Sequence, residues 1–202
     1  MTVAMARIVG AQGKVFAIEP NPAAREILQH NIEINQLENV SVLPYAIGSN
    51  STQATMYDGV DGNRGRASLL AFGGTEIGVV QIRTLAEVIP ADVKIDLVKV
   101  DVEGYELNVL KGMSSLLERQ YSPALIVEFS KDRDDKTSSA SRELFEHIRA
   151  LGCYRLFCGA AGKERTSKLI EIASFEDLPD HDNVFCLADE HVERARSKGL
   201  MR

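Results

Sequence analysis

The sequence predicts an α/β domain: a doubly wound, mostly parallel sheet that ends in an antiparallel hairpin. Short β-branched runs alternate with longer segments of three- and four-residue apolar period, the pattern of successive βαβ units. The two final strand-like runs, Tyr154 to Cys158 and Asn183 to Leu187, read as the hairpin. A chain of 202 residues with 45% hydrophobic and 26% charged residues has the mix of a folded globule.

Lys14 to Ile18 (KVFAI) is the first clear strand. It runs into Glu19-Pro20-Asn21-Pro22, where Asn21 suits an N-cap and Pro22 the first helical position, which needs no N–H. Ala24, Ile27, Leu28, Asn31 and Asn35 then recur at helical spacing, placing one helix face along them to about Asn35. Asn39 to Leu43 is a second strand, followed by Pro44-Tyr45-Ala46-Ile47-Gly48. Strand-like pieces at Gln53 to Tyr57 and Val79 to Arg83 flank a glycine-rich connection from Asp58 to Gly78, long enough for a mobile lid. Its Arg64, Arg66 and Ser68 could meet an anionic group on a substrate. Asp96 to Val100 (DLVKV) is a buried strand closed by Asp101-Val102-Glu103-Gly104, and a helix follows with Val109, Leu110, Met113, Leu116 and Leu117 on one side. Ala124 to Phe129 (ALIVEF) is the next strand. Ser139 to Leu151 is the next helix, with Leu144, Phe145, Ile148 and Leu151 inward and Gly152 at its end. Residues 1–188 thus read as one domain, and 189–202 as a charged, fraying tail.

Net charge −6 and a pI near 5.3 leave no basic face for nucleic acid. No apolar stretch approaches the roughly 18 residues that cross a bilayer, and Met1 to Gly10 lacks a secretion signal's apolar core. The reading is therefore a cytoplasmic chain with neither nucleic-acid nor membrane partners. Cys153, Cys158 and Cys186, an odd number with no metal spacing, read as reduced core thiols. The four histidines, His30, His147, His181 and His191, are scattered and read as surface or helix residues; His181, in the polar segment Pro179 to Asn183 just before the last strand, is the one that a near-site loop could hold.

Ligands of open α/β sheets lie beyond the carboxyl ends of the strands. Glu19, Ala46-Ile47, Asp101 with Glu103, and Glu128 occupy such positions. A carboxylate at Glu19 can accept both hydroxyls of an adenosine ribose, since it offers only acceptors to a diol offering two donors. That suits NAD and S-adenosylmethionine alike and disfavours NADP; the alternative is a solvated acid at a strand end. Glu103 and Glu106 can be explained as acids at a helix N-terminus. Asp101 ends a strand expected to be buried, so it calls for a cationic partner, a role the ammonium of an aminoacyl cofactor would fill. Asp101, Glu103 and Glu128 are the carboxylate set a hard cation would choose, but no clustered ligand motif accompanies them and no metal is expected.

FAIEPNPAA, the Leu28/Asn31/Asn35 spacing, NVSVLPYAIG, RTLAEV, DLVKVDVEGYELNVLKG and PALIVEFS resemble, in this order, the FkbM family of S-adenosylmethionine-dependent methyltransferases, over about Gly13 to Ser130. The resemblance implies the Rossmann-like class I methyltransferase sheet, S-adenosyl-L-methionine as cofactor, and O-methylation of a hydroxyl on a sugar or secondary metabolite. It further implies that Glu19 holds the cofactor ribose and that Pro20 and Asn21 shape the turn. Ala46 and Ile47 would flank the adenine, and Asp101 would lie near the methionine part or the acceptor. Glu103 and Glu128 would line the reaction side, with Asp101 or Glu128 as base. The oligomeric state stays open, a homo-oligomer included.

That family begins with a strand and a glycine-rich turn, whereas Met1 to Ala11 reads as the tail of the helix that follows them. Losing about five central residues would remove on the order of ten ladder hydrogen bonds at ~0.5–1.5 kcal/mol each, comparable to a domain's whole stability of ~5–15 kcal/mol. A truncated gene start, closure by the neighbouring strands, or a strand from another chain would answer it. Two other functions remain: a non-catalytic binding or scaffold domain that kept the fold, and an NAD-linked enzyme, for which no G-x-G-x-x-G is present.

Overall fold

The computed structural model describes residues 1–58, 67–71, 74–117, 122–131, 135–160 and 168–201, with the backbone alone for 135–138. Arg64 and Arg66, and with them about half of the suggested lid, lie outside the described residues. The chain divides into two units, Met1–Ile89 and Pro90–Arg202.

In the first unit, α1 (Thr2–Val9) stops at Gly10, whose φ of 69° a side chain rarely adopts. Asn39 Nδ2 donates to the carbonyls of Ala6 and Gly10, fastening the end of α1 to the start of the second strand. β1 (Val15–Ile18) and β2 (Val40–Leu43) pair in parallel from Val15↔Val40 to Ile18↔Leu43. Between them runs α2 (Pro22–Ile34), with Pro22 in its first turn and Asn21 Oδ1 accepting the Ala23 N–H at 3.0 Å, as the residue types predict. The expected apolar face of α2 is not buried: none of its residues is, and Ile27 and Ile34 are 56% and 62% exposed. A second sheet, in the order β3-β5-β4, joins β3 (Ala46–Ile47) in parallel to β5 (Glu76–Arg83), which pairs antiparallel with β4 (Thr52–Tyr57). The short α3 (Leu85–Val88) starts at a Thr84/Glu87 capping box.

The second unit carries a five-stranded sheet in the order β6-β7-β10-β8-β9. β6 (Leu97–Val100) and β7 (Ala124–Ser130) are parallel, with α4 (Glu106–Gly112) and α5 (Ser114–Leu117) between them in sequence. After α6 (Asp135–Ala150) come β8 (Arg155–Gly159), β9 (Leu169–Ile172) and β10 (His181–Leu187), all joined by antiparallel pairing, and then α7 (Asp189–Ser197). β10 lies antiparallel between β7 and β8, so those two strands keep the same direction.

The fold is therefore α/β with mixed sheets, not mostly parallel. The antiparallel pairs are β4 with β5, β8 with β9, and β10 with β7 and β8. The predicted pairing of the last strands is present at Phe185↔Phe157, with β9 as an unanticipated edge strand.

Alternation along β7 sends Leu125, Val127 and Phe129, all fully buried, to one face and Glu128 and Ser130 to the other. Val109, Leu110, Met113, Leu116 and Leu117 are buried as expected, although Met113 divides their helix in two. Of the cysteines only Cys186 belongs to the core; Cys153 and Cys158 are half-buried, and all three are free thiols. Val192 of α7 packs with Phe157 and Leu187, and Leu169 N–H donates to Leu200 O at 2.8 Å. No helix among the described residues is long and apolar enough to cross a membrane.

The turn between β6 and α4 is held in a conformation that side chains resist. Glu103 has φ 50° and Gly104 φ 95°, two successive left-handed residues. For Glu103 that conformation costs roughly 1–2 kcal/mol. Buried Glu106 offsets it by turning back on the loop, its Oε1 accepting the N–H groups of Val102 and Gly104 at 3.1 Å each. Burial holds the Glu106 carboxyl above its ordinary range; the bonds from nearby backbone N–H groups oppose that rise, and the charge of Glu128 adds to it. The stability this group contributes is complete below the unfolded carboxyl value and is lost as pH rises through the raised folded value.

Glu106→Gln keeps Oε1 as an acceptor, so in urea unfolding it should match or exceed the wild type at neutral pH and flatten the decline in that window. Glu106→Leu should lose roughly 1–3 kcal/mol, the loss of two part-buried hydrogen bonds to one carboxylate oxygen.

Candidate functional site

In the first unit, the carboxyl end of β1 delivers Glu19 half-buried beside the start of α2. Its Oε1 accepts the Asn21 N–H at 2.9 Å, and Oε2 has no protein partner among the described residues. Arg25 Nη1 donates to the carbonyls of Glu19 and Pro20 at 2.9 and 3.1 Å, fixing the turn. Burial raises the Glu19 carboxyl, against the lowering effects of the Asn21 N–H and the Arg25 charge. Asn21, itself buried, caps the helix. Pro20 contributes its carbonyl to the same turn. Ala46 and Ile47 are buried apolar residues in β3, hydrogen-bonded alongside Ile82 and Arg83.

In the second unit, the β6–β7 register ends at Val100↔Val127, which carries Asp101 alongside Glu128. The left-handed Glu103 brings a third acid back, and carboxylate oxygens of Asp101, Glu103 and Glu128 lie within 4.8 Å of one another. Like charges so close repel, and basic groups stand at both ends of the set. Lys99 Nζ is 2.6 Å from Asp101 Oδ2, and His181 Nε2 is 3.4 Å from Glu128 Oε1.

This changes the expectation for Asp101. Its side chain is 44% exposed, and the ammonium that meets it comes from Lys99, which lies two residues back in the chain and is itself largely buried. A ligand cation is not needed to explain Asp101. Glu128, by contrast, is buried. Glu106 serves the turn instead of acting as a simple helix-terminal acid.

His181, the histidine that the sequence singles out, stands beside the site, and so do three residues that sequence reasoning does not place there: Lys99, Ser130 and Asn183. His181 opens β10 opposite Ser130, and its Nδ1 is 2.7 Å from Ser130 Oγ. Asn183 pairs across from Glu128, and its Oδ1 is buried without a hydrogen-bond partner among the described residues. The signal for Lys99 is its i, i+2 relation to Asp101 along a strand. The β10 residues depend on antiparallel register, which sequence spacing does not reveal. Ser68, from the suggested lid, is buried and forms a bridge with Tyr57.

Residues 2–158 match the Methyltransferase FkbM domain. The hexuronic acid methyltransferase AglP of Haloferax volcanii is 33% identical over 113 residues, 55% of this chain and 46% of its own. The methyltransferase sdnD of Sordaria araneosa is 30% identical over 50% of this chain and 52% of its own. The chain thus spans about half the length of the curated relatives it matches. Among solved structures, methyltransferase FkbM from Methylobacillus flagellatus superposes with a TM-score of 0.52 at 16% identity, covering 92% of this chain and 41% of that one, a likeness of fold. With acids at the ends of β1, β6 and β7 and a family match over most of its length, the chain belongs to the FkbM methyltransferase family.

Proposed function

We propose that the chain is an S-adenosylmethionine-dependent methyltransferase domain that methylates an oxygen of a small sugar-type acceptor. The observation that carries this reading is the family match over residues 2–158; a relative named for hexuronic acid supports the acceptor class. Glu19 fits the cofactor, since a half-buried carboxylate with a spare oxygen complements a ribose diol. When bound, S-adenosylmethionine supplies an electrophilic methyl group whose transfer breaks a carbon–sulfur bond and leaves that electron pair on sulfur.

The chain's own contribution is to hold the acceptor and take its proton. Of the two acids proposed as base, Asp101 is engaged by Lys99 at 2.6 Å, and we assign the proton to buried Glu128. Glu103 lines the same face, and the orphaned Oδ1 of Asn183 offers an acceptor to a second hydroxyl of a polyol. Ala46 and Ile47 supply apolar surface suited to a base ring.

Calorimetric titration with S-adenosylhomocysteine tests the cofactor. Heat of binding is expected, and Glu19→Ala should weaken it roughly 10- to 100-fold, the loss of one or two charge-assisted hydrogen bonds at about 1.5 kcal/mol each. Because the diol needs the ionised acid, affinity should fall as pH drops through the raised Glu19 value. Heat with NAD and none with S-adenosylhomocysteine would replace this reading by the NAD-linked one, and silence with both at millimolar ligand would favour a non-catalytic domain.

Transfer of labelled methyl to D-glucuronic acid, D-galacturonic acid and methyl α-D-glucoside tests the reaction. Glu128→Gln should lower kcat by about 10²–10⁴ with little change in cofactor KM, and Asp101→Asn should lower it less.

A further inference from the structure

We infer that His181 is the positioning residue for Glu128, holding the proposed base in one orientation from the neighbouring strand. The inference rests on the reading of Glu128 as proton acceptor, but its geometry stands independently.

The ring is placed by the fold from three directions. Antiparallel pairing sets His181 opposite Ser130 and Asn183 opposite Glu128, so one face of two adjacent strands carries all four side chains. Ser130 Oγ, 2.7 Å from Nδ1, fixes the ring's rotation, and the Ser130 carbonyl is itself held by Ser141 Oγ at 2.9 Å. The chain entering β10 is tied to the end of β7 by Lys131: its N–H donates to Asp180 O at 2.6 Å, and its Nζ to the carbonyls of Leu178 and Glu176 at 2.8 and 3.2 Å. A surface histidine without a role has no need of such anchoring.

With Nδ1 committed to the serine hydroxyl, Nε2 faces Glu128 Oε1 at 3.4 Å. The serine hydroxyl can donate to Nδ1 or accept from it, so Nε2–H can donate toward the carboxylate in the neutral ring as well as the cationic one. Glu128 shares its surroundings with Asp101 and Glu103, whose charges would push its carboxylate aside. Lys99 attends to Asp101 at one end, and His181 stands at the Glu128 end. Pinning a base within hydrogen-bond tolerance of the reacting oxygen is worth orders of magnitude in rate, since small misplacements are costly.

His181→Leu should lower kcat for methyl transfer roughly tenfold or more with cofactor and acceptor KM within about twofold. His181→Gln, whose amide N–H can replace Nε2–H, should recover most of it. In a Glu128→Gln background, His181→Leu should cost nothing further, because the two residues act as a unit. An unchanged kcat in His181→Leu, or full additivity in the double variant, overturns the inference. The contact itself is read without turnover by ¹⁵N-edited NMR of the imidazole. Ring nitrogen shifts should report the Nε2–H tautomer in the neutral ring and should change in Glu128→Gln and in Ser130→Ala. Ring nitrogens that ignore both substitutions sink the proposal even if no acceptor is methylated. Changed shifts in a chain that binds no S-adenosylhomocysteine leave the positioning role intact and remove the methyl-transfer reading instead.

Discussion

Three carboxylates confined within 4.8 Å are the constraint around which the second unit is arranged. Acids do not gather so closely unless the backbone forces them together and neighbouring groups offset their repulsion. The force comes from parallel register, which carries Asp101 beside Glu128, and from a left-handed residue at Glu103 that turns a third acid back toward them. The offset comes from Lys99 beside Asp101 and His181 beside Glu128, while Glu106 commits its own carboxylate to the backbone of the turn. The Glu106 bonds hold the turn in which Glu103 keeps its unfavourable conformation.

The apolar side of β7 makes that polar gathering compatible with a dry core. Leu125, Val127 and Phe129 are wholly buried on one face, so the opposite face can hold Glu128 and Ser130 without weakening the packing. The first unit relies more on polar fastening. None of α2 is buried; Asn21 and Arg25 fix the turn that opens it, and Asn39 fastens the end of α1, through side-chain bonds to backbone carbonyls and N–H groups. Glu19 is held in that framework by the Asn21 N–H, with its second oxygen free of protein partners among the described residues. Each unit therefore fixes its acids through local turns, and each turn begins where a short strand ends.

Several elements are legible because their chemistry is local. The EPNP turn names its own N-cap and first helical residue, and both stand where the residue types place them. The apolar spacing from Val109 to Leu117 marks a buried helical face that is indeed buried. The α2 stripe fails because three- and four-residue spacing shows what could be buried, whereas only neighbouring elements decide what is. The mostly parallel sheet fails in a similar way. Strand content is written in β-branched runs, but pairing direction depends on which strands become neighbours. For Asp101 the expected ligand cation gives way to Lys99, because the strand that carries both is not uniformly buried and alternate residues share a face.

The sequence by itself determined the family, most of the strands and helices in order, and the acids Glu19, Asp101, Glu103 and Glu128 at strand ends, because turn chemistry, periodicity and motif order are all short-range properties. Only the tertiary structure decided that Asp101, Glu103 and Glu128 meet, that Lys99 and His181 attend them, and that Ser130 and Asn183 share their face. The physical reason is register. A strand's side chains alternate by two, so which residue stands opposite which is fixed by hydrogen-bond pairing between segments some fifty residues apart in sequence, such as Ser130 and His181.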